Sequence, residues 1–148
     1  MGTSGRPRGF TILAIVLTLF ALGTVAFWIE FFTTGSVAMS EQPCYLEHEQ
    51  SFPAADGFMV VCSLLGAAGI MLRRSWGLLF GLLAGSAIIF LGLMDTLYSL
   101  QQNMFDELSP VAFEAAFINI LCLTLGPATI VYLWRKRAYL LQPLLRGE

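Results

Sequence analysis

Residues 77–100 read GLLFGLLAGSAIIFLGLMDTLYSL. The uncharged run that contains this stretch extends from Ser75 to Met94, 20 residues, and stops at Asp95. About 20 helical residues cross the roughly 30 Å of a bilayer's hydrocarbon, so the run predicts a membrane-crossing helix. Phe10–Ile29 and Ala115–Trp134 are equally long and equally free of charge, and Gly57–Leu72 adds 16 residues. That shorter run is extended back to Pro53, which draws Asp56 into the interfacial zone. Lipid offers no partners for peptide N–H and C=O groups, so such segments must be helical. A β-barrel would alternate polar and apolar residues in short strands, and no segment here does.

Composition points the same way. Of the 148 residues 57% are hydrophobic and 12% charged, with a mean hydropathy of +0.74. Soluble domains carry about 25% charged residues. The expected fold is therefore an all-α integral membrane protein, one domain over residues 1–148. Its four transmembrane helices lie at about 10–31, 53–72, 75–98 and 110–134, in an antiparallel up-down bundle.

Orientation follows from the eight basic residues, which fall in three places: Arg6 and Arg8; Arg73 and Arg74; and Arg135, Lys136, Arg137 and Arg146. Loops rich in Lys and Arg stay cytoplasmic. With four spans, all three places lie on one face, both termini are cytoplasmic, and the protein is expected in the cell (inner) membrane. Residues 32–55 and 99–109 form the outer loops, without a single Lys or Arg. Trp76 and Trp134 fall at the inner boundary and Trp28 near the outer one, as interfacial aromatics do. Arg6, Arg8 and the apolar run after them resemble a signal peptide, with Ser36-Val37-Ala38 as a small-residue cleavage site. Signal cores run about 7–15 residues, whereas this one has 20, so a retained first helix is expected.

Nine of the ten acids fall outside or in the outer half, and only Glu148 falls inside. Four of them sit one per helix: Glu30, Asp56, Asp95 and Glu114. Asp56 and Glu114 lie near helix N-termini, where the macrodipole favours anions, so each can simply mark the boundary with water. Ser109-Pro110 supplies an N-cap and a first-turn proline for the last helix. Glu30 and Asp95 sit at C-terminal ends, where the dipole disfavours negative charge. Acids so placed face a bundle interior or a water-filled cavity.

Helical spacing gives Asp95 a direction. Gly77, Gly81 and Gly85 recur every four residues, and the stripe continues through Ile88, Gly92, Asp95 and Ser99. Small residues at this spacing let helices approach closely in lipid, so Asp95 shares a face that packs on a neighbour. Asn119, Cys122 and Gly126 align on the last helix, with Asn119 about one turn deeper than Glu114. On the second span Asp56, Ser63 and Gly66 or Ala67 align in the same way.

Much chemistry is excluded. Three cysteines without a Cys-x-x-Cys pair do not make a membrane thiol oxidoreductase. The single histidine, His48, rules out bis-histidine haem within the chain. Nucleic-acid binding lacks a basic footprint, and no phosphate-binding loop or nucleophile elbow occurs. No cofactor is expected. Cys44 and His48, four residues apart in the outer loop, are the one weak metal candidate, two ligands where zinc uses three or four.

The expected function is an outward-facing, acid-lined cavity within the membrane, formed by Glu30, Asp56, Asp95, Tyr98, Glu114 and Asn119. It would bind a cation or a polar or cationic amphipathic ligand, with transport as one use. The alternative is a packing or accessory subunit that meets a membrane partner, or a second copy, through Gly77, Gly81 and Gly85. A lipid-modifying enzyme at the same acids is the weaker third reading. The lack of inner-leaflet acids argues against a proton path across the whole membrane.

Overall fold

A computed structural model describes residues 7–35, 43–105 and 110–145; the side chains of residues 43–45, 111 and 143–145 lie outside the description. The elements are α1 (Arg8–Thr33), α2 (Pro43–Glu49), α3 (Pro53–Met71), α4 (Trp76–Gln101) and α5 (Pro110–Leu145). Among the described residues there is no strand. The four long helices are all long and apolar enough to cross a membrane. The fifth, α2, is a seven-residue helix in the loop between α1 and α3.

Local chemistry sets the ends. Pro53 opens α3 at a position whose N–H has no helical partner in any case. The same helix stops at Arg73, whose φ of 54° is left-handed, and the Arg74 N–H donates to Gly69 O at 2.9 Å. α4 ends in the same way at Asn103, φ 53°, with the Met104 N–H donating to Ser99 O at 3.0 Å. α1 ends at Gly35, φ 68°. A left-handed arginine costs about 1–2 kcal/mol, so packing must hold the α3–α4 turn.

That packing is backbone on backbone. A methyl group added at Gly69 would meet the Gly77 backbone, and one at Gly66 would lie 2.9 Å from Gly81 N. The pairing of 69 with 77 and 66 with 81 makes α3 and α4 antiparallel. Gly85 faces Gly126, and Gly92 faces Cys122, so α5 runs back along α4. α1 lies on the other side of α3. Gly77, Gly81, Gly85, Ile88, Gly92 and Ser99 are all buried by these contacts. A partner could reach Gly77, Gly81 or Gly85 only by opening the bundle.

The order around the bundle is thus α1–α3–α4–α5, with close backbone approach at each of these three steps. The backbones of α1 and α5 do not approach each other in this way. They touch through side chains at one end, where Phe10 stacks on Tyr139 with ring centroids 4.8 Å apart and meets Tyr132 edge-on at 5.3 Å. Arg73 lies 5.3 Å over the same Tyr139 ring. This is the basic end, and the described arginines and the lysine cluster there.

The outside of the bundle is apolar. Ile12, Leu19, Ile29, Phe90, Phe117 and Ile120 are more than half exposed. Threonines along the helices return their hydroxyls to their own turns, Thr18 to Ala14 O at 2.8 Å and Thr96 to Gly92 O at 2.6 Å. Such bonds satisfy a polar side chain within its own helix.

Candidate functional site

The opposite end of the bundle, where α3 and α5 begin and α1 and α4 finish, holds a partly open cavity of about 510 Å³. This volume is typical of a small-molecule site, which spans about 300–1,000 Å³. Leu91, Met59 and Leu125 form its inner part, and Val16, Leu19, Phe20 and Phe27 form the α1 wall. Apart from Thr24, whose hydroxyl donates to Phe20 O at 3.1 Å, the polar groups are Glu49, Asp56, Asp95, Tyr98, Ser99 and Asn119, and none of the lining residues is Lys or Arg.

Asp56 stands in the first turn of α3, and its Oδ2 accepts the Trp28 Nε1–H of α1 at 2.7 Å. This bond ties α1 to α3 beside the cavity. Asp95 follows Gly92 by one turn on α4. Because Gly92 has no side chain, the Cys122 Cβ reaches the space one would fill. That close crossing brings α5 in and sets Asn119, one turn before Cys122, into the same cavity as Asp95. Glu49 and Asp56 are near enough to Asp95 to repel its charge. Asn119 is only 6% exposed, and its Nδ2 has no hydrogen-bond partner among the described residues. A buried donor left unpaired costs about 1–3 kcal/mol, so the site holds unmet hydrogen-bonding capacity as well as negative charge.

α2 closes over one side. The His48 ring stacks on Tyr98 at 3.9 Å with the planes 9° apart, and meets Phe52 edge-on at 4.9 Å. Through this contact Glu49 reaches the cavity.

Of the residues singled out in the sequence, Asp56, Asp95, Tyr98 and Asn119 converge on the cavity, while Glu30 and Glu114 lie outside it. The α1 wall ends at Phe27. Glu30 lies beyond it, where its Oε1 accepts the Thr34 hydroxyl at 2.7 Å. Glu114 is exposed. It precedes Asn119 by five residues, about 140° around a helix of 3.6 residues per turn. Spacing also held a signal that was not read. Glu49 precedes Asp56 by seven residues, two helical turns, so a continued α3 pattern places both acids on one face.

The Cys44 side chain lies outside the described residues. His48 uses its ring face on Tyr98. Among the described residues no group of three or more His, Cys, Asp or Glu is arranged to hold a metal ion.

Replacing Trp28 by Phe keeps an aromatic side chain, though a smaller one, and removes the donor to a partly buried carboxylate. Hydrogen bonds to charged groups are worth about 1.5–3 kcal/mol, and Trp28→Phe is expected to lower unfolding stability in detergent by that order. Combined with Asp56→Asn, the two losses should be less than additive. Full additivity would show that the bond contributes nothing.

No family model matches the chain, and no curated protein or solved structure shows significant similarity to it. Fold and site by themselves define its class: a bundle of four long apolar helices with an acid-lined cavity at one end.

Proposed function

We propose that the protein is a multi-pass inner-membrane protein that binds a cationic amphipathic ligand in this cavity, with the acidic end outward and both termini cytoplasmic. The observation that carries the reading is the convergence of Asp56, Asp95, Glu49 and the unpaired Asn119 amide on one mainly apolar cavity without a basic side chain. Carboxylates there favour an ammonium group, and the Val16, Leu19, Phe20 and Leu125 walls favour the hydrocarbon attached to it. A ligand with both parts satisfies the cavity better than a bare metal ion, which would need several oxygen ligands at close range.

The reading as a packing subunit rested on the glycine stripe. Those glycines are already filled by α3 and α5 within the chain.

Binding is tested with dodecylamine presented in neutral detergent micelles, against dodecanol as the uncharged control. Selective binding of the amine is expected; equal binding of the two would remove the acids from the account. Orientation is tested by cysteine labelling in intact cells, in a background with Cys44→Ser. Cysteines at Ser4 and Arg146 should be shielded from impermeant reagents, and those at Gln42 and Asn103 should react. The reverse pattern would invert the inside–outside assignment.

A further inference from the structure

We infer that the ligand reaches the cavity sideways from the bilayer, through the seam between α1 and α5, and that it is a single-chain lipid amine bearing an oxygen next to its ammonium. The inference rests on the binding reading above and adds the route and the class of ligand.

Three independent observations support it. First, α1–α5 is the side of the bundle without the close backbone approach of the other three neighbouring pairs. The aromatic contact of Phe10 with Tyr132 and Tyr139 joins these helices at the basic end. Toward the acidic end, Leu19 and Gly23 of α1 and Ile118 and Leu121 of α5 line the cavity instead. Leu19 is 63% exposed, so one side of the seam borders both the cavity and the outer apolar surface.

Second, Gly23 has no packing reason to be glycine. Most other glycines of the long helices would drive an added Cβ into a neighbouring helix or side chain. At Gly23 and Gly57 a Cβ would meet nothing within 4 Å. Glycine in a helix interior costs about 1 kcal/mol relative to alanine, so an unpacked glycine keeps space open. Gly57 opens on a shallow groove outside the Trp28–Asp56 bond, whereas Gly23 opens on the cavity.

Third, the polar lining asks for two functions on one head group. Asp56 and Asp95 suit an ammonium, which only donates. The Asn119 Nδ2–H, buried and unpaired, needs an acceptor. A hydroxyl or carbonyl oxygen beside the amine supplies it, and a cavity of about 510 Å³ has room for a single hydrocarbon chain.

The test uses the full chain in phosphatidylcholine vesicles and a hexadecyl 2-amino alcohol with a photoactivatable diazirine in mid-chain. Cross-links are expected at Leu19, Gly23, Ile118 or Leu121. Labels confined to α3 and α4 would overturn the route. In parallel, wild type, Gly23→Ala and Gly23→Trp are compared for their preference for hexadecylamine over butylamine. Gly23→Trp should lower that preference by roughly tenfold, the scale of an overpacked contact. Gly23→Ala, which puts one methyl group into the same space, should lower it by a smaller factor, and thermal unfolding in detergent reports on the folding of both variants. An unchanged preference in Gly23→Trp overturns the route. In Asn119→Leu, the amino alcohol should lose its advantage over the plain amine; an undiminished advantage overturns the class. Failure of every amine to bind would instead overturn the binding reading itself.

Discussion

Asp95→Asn is expected to lower the affinity for dodecylamine by about 100-fold or more while the bundle stays folded. Asparagine keeps the shape of the side chain and removes the charge. Removing one partner of a buried charge pair costs about 3–5 kcal/mol, and every 1.4 kcal/mol is a factor of ten. Asp56 differs, because its carboxylate also accepts the Trp28 Nε1–H at 2.7 Å. Asp56→Asn should therefore lower both binding and stability, which separates the two acids. Acidification should weaken amine binding to the wild type, since protons compete with the ammonium for the same carboxylate oxygens. In Asp95→Asn the residual binding should be less sensitive to pH. Titration calorimetry over a range of pH checks both statements. An Asn variant that binds as wild type does, with the same pH profile, would reduce Asp95 to an acid at the end of a helix.

The second large effect concerns the fold. Gly77→Leu is expected to abolish the folded bundle or to lower its stability by on the order of 3 kcal/mol, the upper part of the range for overpacking. A side chain at this position runs into the backbone of Gly69 and Ile70, which cannot turn aside without separating α3 from α4. Gly81→Leu should be milder. Its Cβ meets chiefly the Leu133 Cδ1 atom, the end of a flexible side chain. Thermal unfolding in detergent should rank wild type above Gly81→Leu and Gly81→Leu above Gly77→Leu. Equal stability of all three would show that the crossing is looser than described.

Four apolar helices were legible in the chain because membrane-length uncharged runs leave the backbone no other way to pair its polar groups. The packing face of α4 was legible as well: residues 77, 81, 85, 88, 92 and 99 share one side of a helix, and all of them are buried. The acids were harder. Periodicity tells which side of its own helix a carboxylate occupies, not where the neighbouring helix begins or how far a cavity extends. Glu30 shares a face with Gly23 and still lies past the cavity, because α1 continues beyond its wall at Phe27. Glu114 is the one acid of the last long helix, yet the five-residue step between it and Asn119 turns it away from the cavity.

Composition and periodicity by themselves determined that the chain is all-helical, the number of long apolar helices and the separation of basic from acidic residues along the chain. These are one-dimensional properties, set by the transfer free energy of each segment. Only tertiary structure decided that the glycine stripe is consumed inside the chain, that Glu49 joins Asp56 and Asp95 through the His48–Tyr98 stack, and that residues of α1 and α5 line one cavity at the acidic end. Each depends on how closely helices approach, and that distance is set by side chains on two helices at once.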